Sequence, residues 1–250
     1  MTDILEGKKA LITGASRGIG SAIAKKFAEE GAKIGINYHS SDEKARNILD
    51  SVNKHSEGIL AKGDVSDKDD CKQIVSKFVD EFDSLDILVN NAGVLKKKNL
   101  EEATTDTFDQ TMGVNVRGPF MLSKYSLKHL KKSESGRIIN MSSHWAFRAS
   151  DQATAYVVSK TALIGLTRAL ALELGPKGIT VNGIAPGTIE TDMISDRYSE
   201  KEKRERAEEI PIKRLGKPED IANTALFLAS EEGGYVNGEI IGVNGGLTIH

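Results

Sequence analysis

Short apolar runs alternate with stretches of helical periodicity along almost the whole chain. Between the runs, apolar residues recur on one helical face, as at Ile23, Phe27 and Ala28. Near-continuous apolar strands that alternate with helices are typical of a parallel sheet covered on both faces. Right-handed crossovers then predict a doubly wound α/β fold of about seven strands with helices on both faces. The runs lie at residues 9–13, 33–38, 58–65, 86–90, 137–142, 179–187 and 239–246.

Two stretches depart from this regular alternation. A long helical region, roughly 104–132, is broken by GVNVRGP at 113–119, where Gly118 and Pro119 predict a bend. The stretch 188–212 is too charged to be core and leaves the carboxyl end of the sixth strand, where sheets of this kind bind ligands. We therefore predict a substrate lid there. No linker, repeat or low-complexity tract divides the sequence, so one domain over residues 1–250 is expected.

Charge and hydropathy exclude several classes of partner. The 250 residues carry a formal net charge of -2, which provides no global field for nucleic acid or an anionic membrane. No run of about 20 apolar residues predicts a transmembrane helix. The amino terminus also lacks the basic and then apolar pattern of a signal peptide. We therefore expect a cytoplasmic protein that binds neither nucleic acid nor membrane.

The chain has few residues suited to disulfide or metal chemistry. Cys71 is the single cysteine, which excludes an intramolecular disulfide and agrees with a reducing compartment. Nothing near it in sequence would activate the thiol, so an inert side chain is the better interpretation. The five histidines show no ligand spacing, and no metal site is predicted.

A glycine-rich turn, TGASRGIG at 13–20, follows the first predicted strand and begins the first predicted helix. Glycines there let backbone N–H groups approach a pyrophosphate, and the amino end of the helix adds partial positive charge. The alternative is a tight turn that needs glycine only for its positive φ. The position between strand and helix favours a dinucleotide site.

The end of the second predicted strand indicates which dinucleotide is bound. A carboxylate there would accept hydrogen bonds from the ribose hydroxyls and repel a 2′-phosphate. The stretch 37–41 instead contains no acid, and the first carboxylate is Asp42. Arg17 with Ser40, and with His39 as a further candidate, can hold a phosphate dianion. NADP(H) is therefore favoured, while NAD(H) and a merely solvated Arg17 remain the alternatives.

Ser143, Tyr156 and Lys160 are the candidate catalytic side chains. Hydride transfer to a ketone creates an alkoxide, and an unperturbed phenol with a pKa of about 10 exchanges its proton poorly near neutral pH. An ammonium about 6 Å along the same helix face would lower the pKa of Tyr156. Ser143 would hydrogen-bond the developing oxyanion. The alternative is a tyrosine–lysine pair on an exposed helix face.

Taken together, the motifs resemble the short-chain dehydrogenase/reductase family, which has a Rossmann-type fold, over essentially the whole chain. Each motif is common by itself, but their order and spacing are specific to that family. The resemblance depends on TGASRGIG at 13–20, DV at 64–65, NNAG at 90–93, NVRG around Asn115, Ser143, YVVSK at 156–160 and PG at 186–187.

This resemblance implies a role for each matched residue. The catalytic tetrad would be Asn115, Ser143, Tyr156 and Lys160, with Asn115 holding a water that links Lys160 to solvent. A helix cap at Asp64 is disfavoured because Ser66 and Asp67 serve that purpose better. The implied cofactor-binding residues are Gly14, Ser16, Arg17, Gly18, Ile19, Gly20, His39, Ser40, Asp64, Val65, Asn91, Ala92, Gly93, Tyr156, Lys160, Pro186, Gly187, Ile189 and Thr191. The implied substrate residues are Ser143, Trp145, Tyr156 and Gly187, while His144, Trp145 and Phe147 either wall the pocket or pack in the core.

Within the family, PGTIETDM at 186–193 and the carboxyl-terminal region are most similar to 3-oxoacyl-[acyl-carrier-protein] reductases. That similarity implies reduction of 3-oxoacyl thioesters with NADPH in fatty-acid synthesis, and an acyl carrier protein as a candidate partner. Leu172 departs from the arginine with which such enzymes dock the carrier. Because the carrier is acidic, a basic rim is expected, and the candidates are Lys124, Lys128, Lys131, Lys132 and Arg168.

Two other functions remain open. One is a sugar, polyol or other secondary-alcohol dehydrogenase of the same family, acting on a small-molecule substrate. The other is a noncatalytic dinucleotide sensor, since a fold can outlast its activity. The resemblance also implies a homotetramer, in which the apolar carboxyl-terminal segment contributes to a subunit contact.

Overall fold

The seven predicted strands are present in the computed structural model, which describes residues 4–191 and 198–249. The strands are Lys9–Ile12 (β1), Lys33–Tyr38 (β2), Gly58–Lys62 (β3), Ile87–Asn90 (β4), Gly136–Met141 (β5), Ile179–Pro186 (β6) and Ile240–Val243 (β7). They form one sheet in the order β3-β2-β1-β4-β5-β6-β7, and every neighbouring pair is parallel. The predicted doubly wound α/β fold is confirmed. Its topological switch point, where such sheets bind ligands, lies between β1 and β4.

Helices cover both faces of this sheet. They are Gly18–Glu29 (α1), Asp42–Val52 (α2), Lys68–Phe82 (α3), Thr105–Met112 (α4), Gly118–Leu130 (α5), Trp145–Arg148 (α6), Thr154–Leu174 (α7), Glu200–Glu209 (α8) and Pro218–Ala229 (α9). One hydrophobic cluster unites α1, α2 and α9 with the sheet, and a second unites α3, α5 and α7 with its other face. Side chains of a strand point alternately to the two faces, so Ala10 and Ile12 join the first cluster and Leu11 the second.

The bend predicted in the long helical region is a π-helical turn, Gly113–Arg117, between α4 and α5. The interruption begins before Gly118, which itself has ordinary right-handed helical angles of φ −56° and ψ −58°. Pro119 lies in the first turn of α5, where its missing N–H is not needed. The break therefore lies within the predicted stretch 113–119, although it precedes Gly118 and Pro119 themselves, and Asn115 lies inside it.

The stretch Thr154–Lys177, which contains α7, is long and apolar enough to cross a membrane by length and composition alone. The sequence analysis expected no such stretch. Within the structure, 39% of the apolar window is buried, and the window lies on the helix that carries the buried ammonium of Lys160. Long core helices pass the same length and composition test, so it does not assign this segment to a membrane.

Buried polar side chains connect the centre of the sheet to α7. Asn90 Nδ2 donates to Asn140 Oδ1 at 2.8 Å, and Asn140 Nδ2 donates to Thr167 Oγ1 at 3.0 Å. Each of these three residues is at most 1% exposed. These hydrogen bonds satisfy both ends of the Asn140 amide in an apolar interior, whereas Asn90 Oδ1 has no hydrogen-bond partner among the described residues.

The predicted lid contains the helix α8. Its base is an isolated parallel bridge between Ile189 and Gly216. Ser199 caps α8 in a reciprocal capping box with Glu202, and Ile210 follows the helix with only 2% of its surface exposed. Residues 192–197 of the predicted lid lie outside the described part of the chain.

Candidate active site

A cleft of about 1120 Å³ lies at the carboxyl ends of the strands. Its walls come from the turns after β1, β2, β3, β4, β5 and β6, and from the lid. Of the residues predicted for cofactor, substrate and catalysis, all line this cleft except Gly20 and Asn115. The parallel topology therefore brings together side chains that the sequence spreads over about 180 positions.

The glycine turn after β1 lies close against the turn after β4. Gly14 has φ +60°, and a Cβ at this position would lie 2.9 Å from Ala92 Cα. A Cβ on Gly20 would lie 2.5 Å from Asn91 Nδ2, so this glycine allows close packing behind the cleft wall. Within residues 4–191 and 198–249, no side chain caps the amino end of α1, where Arg17 is the N-cap residue. An open helix end beside a closely approached backbone suits a pyrophosphate.

The geometry of this turn is held by side chains on its inner side. Thr13 Oγ1 accepts hydrogen bonds from the backbone N–H groups of Asn91 and Ala92, each at 2.9 Å. Asn91 Nδ2 donates to the carbonyls of Thr13 at 2.8 Å and Gly14 at 3.2 Å. The Asn91 amide therefore braces the glycine turn against β4, in addition to lining the cleft.

The predicted phosphate site lies at the end of β2. Arg17 is exposed there and lines the cleft with His39 and Ser40. His39 Nδ1 also lies 3.4 Å from Asp64 Oδ2. Because this carboxylate lies beside His39, Arg17 and Ser40 are the groups best placed for a 2′-phosphate.

The predicted helix cap at Asp67 is confirmed, and Asp64 is a separate residue of the cleft wall. Asp64 Oδ1 accepts hydrogen bonds from the backbone N–H and the hydroxyl of Ser66, both at 2.8 Å, and its side chain lines the cleft. Asp67 caps α3 by accepting from the backbone N–H groups of Asp69 and Asp70. The cap leaves Asp64 in the cleft wall beside Val65.

Lys160 is buried and tied to the end of β5. Its Nζ donates to the Met141 carbonyl at 2.6 Å and lies 5.7 Å from the centroid of the Tyr156 ring. Its own carbonyl accepts from Ser142 Oγ at 3.0 Å. These two hydrogen bonds hold the start of α7 against the strand that carries Ser143.

The pKa values of the two titrating groups are dominated by burial. Burial lowers the pKa of Lys160 to about 8. It raises the pKa of Tyr156 above that of a free phenol, and a hydrogen bond with Ser143 opposes the rise. The expected lowering of the Tyr156 pKa by Lys160 is therefore not provided by the chain alone, because the desolvation of the phenol outweighs its polar contacts.

Asn115 holds a loop rather than facing the cleft. Its Oδ1 accepts from the Val94 N–H at 2.9 Å, and its Nδ2 donates to the Val94 carbonyl at 3.0 Å and to Ser159 Oγ at 3.0 Å. The side chain is fully buried. These contacts position the turn after β4, and the water-holding role implied for Asn115 stays a prediction.

The two aromatic alternatives beside Ser143 are resolved differently. Trp145 lines the cleft and meets the Tyr156 ring edge to face at 5.8 Å, whereas Phe147 packs with Ile164 in a small hydrophobic cluster. His144 also lines the cleft, with burial lowering the pKa of its ring. Its Nδ1 lies 3.0 Å from the Pro186 carbonyl, which can only accept, so Nδ1 carries the proton and Nε2 is an acceptor.

The structure adds a group that the sequence analysis missed. Lys97, Tyr198 and Arg206 meet at the rim of the cleft, although the first two are 101 positions apart. No local signal in the sequence connects them. The basic residues predicted for a carrier-binding rim do not line the cleft; they are Lys124, Lys128, Lys131, Lys132 and Arg168, all on exposed surface.

Cys71 is buried, which agrees with the inert thiol predicted from the sequence. Its thiol donates to the Val65 carbonyl at 3.1 Å, and burial raises its pKa to about 12. No group of three or more potential metal ligands occurs among residues 4–191 and 198–249.

Comparisons with known proteins agree on one family. A family model described as enoyl-(acyl carrier protein) reductase matches residues 14–248. An uncharacterized oxidoreductase of Thermotoga maritima is 43% identical over 249 residues, covering 97% of this chain and 98% of the relative. A 3-oxoacyl-[acyl-carrier-protein] reductase FabG of the same organism is 39% identical, covering 98% of this chain and 99% of the relative. A crystal structure of a short-chain dehydrogenase from Burkholderia cenocepacia in complex with NADP is 38% identical, with a TM-score of 0.91 and coverage of 97% and 98% of the two chains.

Proposed function

Because the chain belongs to the short-chain dehydrogenase/reductase family, we propose that it is an NADP(H)-dependent enzyme that interconverts a carbonyl and an alcohol. A single domain spanning residues 1–250 carries both the cofactor and the substrate sites. The observation that carries the proposal is that Ser143, Tyr156 and Lys160 line the same cleft as the glycine turn.

The residues present fit a dinucleotide. The closely approached turn at Gly14, the uncapped end of α1 and the exposed guanidinium of Arg17 suit a pyrophosphate and a 2′-phosphate. Thr191 reaches the glycine turn from the lid base, since its Cγ2 lies 3.4 Å from where a Gly18 Cβ would be. NADPH supplies the hydride when it is bound, and its oxidised form adds a positive charge to the site.

The protein's own groups supply the proton. Tyr156 donates its phenolic proton to the oxygen of the substrate carbonyl as that carbon accepts hydride, giving the alcohol and leaving a phenolate. The Ser143 hydroxyl donates a hydrogen bond to the same oxygen. Lys160, largely protonated near neutral pH with its pKa at about 8, stabilises the phenolate, which then regains a proton from solvent.

Substituting Tyr156→Phe tests the proposal, because it removes the transferable proton and keeps the ring that packs on Trp145. We expect kcat for NADPH oxidation with a ketone substrate to fall about a hundred- to ten-thousandfold, with NADPH affinity nearly kept. Tyr235→Phe is the matched control, since that side chain is fully exposed. Equal activity of the Tyr156 variant and the wild type would refute the role of the phenol.

The finer proposal is that the substrate is a 3-oxoacyl thioester, reduced to the 3-hydroxyacyl thioester in fatty-acid synthesis. It is supported by the 39% identity to the reductase of Thermotoga maritima named above. Leu172, which is 82% exposed, provides no charge with which to dock an acidic carrier. Initial rates with carrier-linked and free 3-oxoacyl thioesters, measured with each nicotinamide, test the substrate and the role of the carrier.

One contact favours a second substrate class. The hydrogen bond of His144 Nδ1 to the Pro186 carbonyl leaves Nε2 as an acceptor in a side chain that lines the cleft. An acceptor there suits a substrate with an additional hydroxyl group, such as a polyol or a sugar. If the wild type oxidises vicinal diols with NADP and His144→Phe does not, a polyol or sugar substrate is supported. If both proteins reduce 3-oxoacyl thioesters equally fast, the thioester substrate is supported.

We also propose a homotetramer for the native assembly. Phe120 on α5 and Val158 on α7 are 48% and 41% exposed, and large apolar side chains on neighbouring helices favour a contact between copies. Light scattering after size exclusion would give the mass directly, and a monomer at micromolar concentration would contradict the proposal.

A further inference from the structure

Three side chains at the rim of the cleft form what we call the rim cluster: Lys97, Tyr198 and Arg206. Lys97 Nζ donates to the Tyr198 hydroxyl at 2.7 Å and lies 5.2 Å from the centroid of the ring. The Arg206 guanidinium lies over the same ring, with Cζ 4.0 Å from the centroid. The cluster joins the loop after β4 to the lid helix α8.

The rim cluster contains N–H and O–H donors that have no acceptor in the described part of the chain. Arg206 makes no hydrogen bond and has no carboxylate within 4.0 Å in the part of the chain that the structure describes. An arginine stacked on a ring keeps its in-plane N–H groups available at the edge. Lys97 uses one of its three N–H donors on Tyr198, whose hydroxyl accepts there and therefore keeps its own proton for donation.

Two like charges are held close together in this cluster. Distances of 5.2 Å and 4.0 Å to one ring centroid place Lys97 Nζ and Arg206 Cζ within about 9 Å of each other. That separation is about one Debye length at physiological ionic strength, so the repulsion between the cations is only partly screened. An anion between them would remove the repulsion and gain charge-assisted hydrogen bonds.

The surrounding rim is also basic. Lys96 and Arg148 line the same cleft and are exposed, as are the acidic Asp151 and Glu209. Among the described residues that line this part of the cleft, four cations therefore stand against two carboxylates. The local charge contrasts with the chain as a whole, whose formal net charge is -2.

The position of the cluster points to the substrate. Lys98, next to Lys97, forms an isolated bridge with Ala153, which is the residue before α7 and three positions before Tyr156. Lys97 therefore lies beside the helix start that carries the proton donor. The predicted phosphate site, Arg17 with Ser40, lies at the end of β2, which is separated from β4 by β1 in the sheet.

We propose that the rim cluster binds an anionic group on the substrate, a phosphate or a carboxylate carried at a distance from the reacting carbonyl. The inference rests on the proposed carbonyl reduction and specifies its substrate class. For a 3-oxoacyl thioester, the phosphate of a pantetheine arm is the matching group. A free keto acid would present a carboxylate to the same donors.

Steady-state kinetics on matched substrates test the proposal. Three substrates are compared. Two are 3-oxobutyryl thioesters, one of neutral N-acetylcysteamine and one of pantetheine 4′-phosphate, and the third is a keto acid with a distal carboxylate. Arg206→Gln and Lys97→Gln are expected to reduce the preference in kcat/KM for the charged over the neutral thioester by about tenfold or more, through KM. Lys201→Gln is the control, since Lys201 lies on the same helix with its side chain 87% exposed. If the variants lose kcat/KM with the phosphorylated thioester but not with the keto acid, the bound group is the phosphate; the opposite result identifies the carboxylate.

A binding measurement separates this inference from the proposed function. Trp145 is the only tryptophan of the chain and lines the cleft, so quenching of its fluorescence reports occupancy without turnover. Pantetheine 4′-phosphate is expected to quench it in the wild type, more weakly at high salt, and with lower affinity in the Arg206 and Lys97 variants. Failure to reduce any carbonyl would overturn the proposed function alone. Equal losses for charged and neutral thioesters, or unchanged binding in both variants, would overturn the rim cluster's role.

Discussion

Replacing Lys160 by methionine removes a buried cation while keeping an unbranched side chain of similar length. Burial lowers the pKa of Lys160 from 10.5 to about 8, so below pH 8 the folded protein holds a desolvated ammonium. Between these two values the unfolded chain binds more protons than the folded one, and the free energy of unfolding therefore rises with pH. At about 1.4 kcal/mol per pKa unit, the shift corresponds to about 3 kcal/mol, of which about 2 kcal/mol is recovered between about pH 7 and pH 9.5.

Lys160→Met should lack this rise. The other titrating groups are shared by both proteins, so the difference between their free energies of unfolding isolates Lys160. Urea denaturation of the cofactor-free proteins, at equal concentration and at several pH values, gives the difference directly. We expect it to change in favour of the wild type by about 2 kcal/mol from about pH 7 to pH 9.5, whatever its sign at neutral pH.

A difference that stays constant over this range would refute the reasoning, because it would mean that Lys160 titrates alike in the folded and unfolded states. The loss of the hydrogen bond to the Met141 carbonyl changes the free energy of unfolding by the same amount at every pH, so it does not alter the slope against pH. The same variant should have no measurable turnover, since the ammonium that stabilises the Tyr156 phenolate is gone.

Two further substitutions test the cofactor site, and one chemical treatment tests the burial of Cys71. Arg17→Ala should weaken NADPH binding about tenfold or more and NADH binding little, because only the 2′-phosphate pairs with the guanidinium; equal losses in a fluorescence titration would argue against the phosphate site. Gly14→Ala should abolish NADPH binding and lower the melting temperature, because its φ is +60° and the new Cβ would lie 2.9 Å from Ala92 Cα. Gly165→Ala, in an open helical position, should raise the melting temperature slightly, and a Gly14 variant that behaves like it would contradict the clash. Cys71, with its pKa raised to about 12, should resist iodoacetamide in the native protein and react in urea; fast native alkylation would contradict its burial.

The strands and the shared cleft could be predicted because their signals are local. Each apolar run is long enough to identify a strand, and parallel topology places the carboxyl ends together whatever the loops do. The bend near Gly118 was predicted, but not the π-helical turn, since an extra residue in a helical turn has no compositional signature.

Quantities that depend on distant neighbours were not predictable. The sequence shows a lysine one turn from Tyr156, yet the pKa of the phenol is set by burial, which only the folded chain determines. Asn115 is in the predicted motif, but its hydrogen bonds to Val94 require the loop after β4 to return beside the π-helical turn. The contact of Lys97 with Tyr198 likewise exists only because the chain before α8 lies beside the loop after β4 in the folded protein.

The hydrogen bonds that join Asn90, Asn140 and Thr167 determine how accurately α7 is aligned with the sheet. Apolar packing by itself tolerates small sliding of a helix, because the buried area hardly changes. A slide of one residue, about 1.5 Å along the axis, would pull Thr167 away from Asn140 and leave an amide without a partner in a dry interior. Thr167 is about two turns beyond Lys160 on the same rigid helix. The hydrogen bond from Asn140, in the middle of the sheet, thus fixes the position of Tyr156 along the helix axis relative to the carbonyl that it protonates.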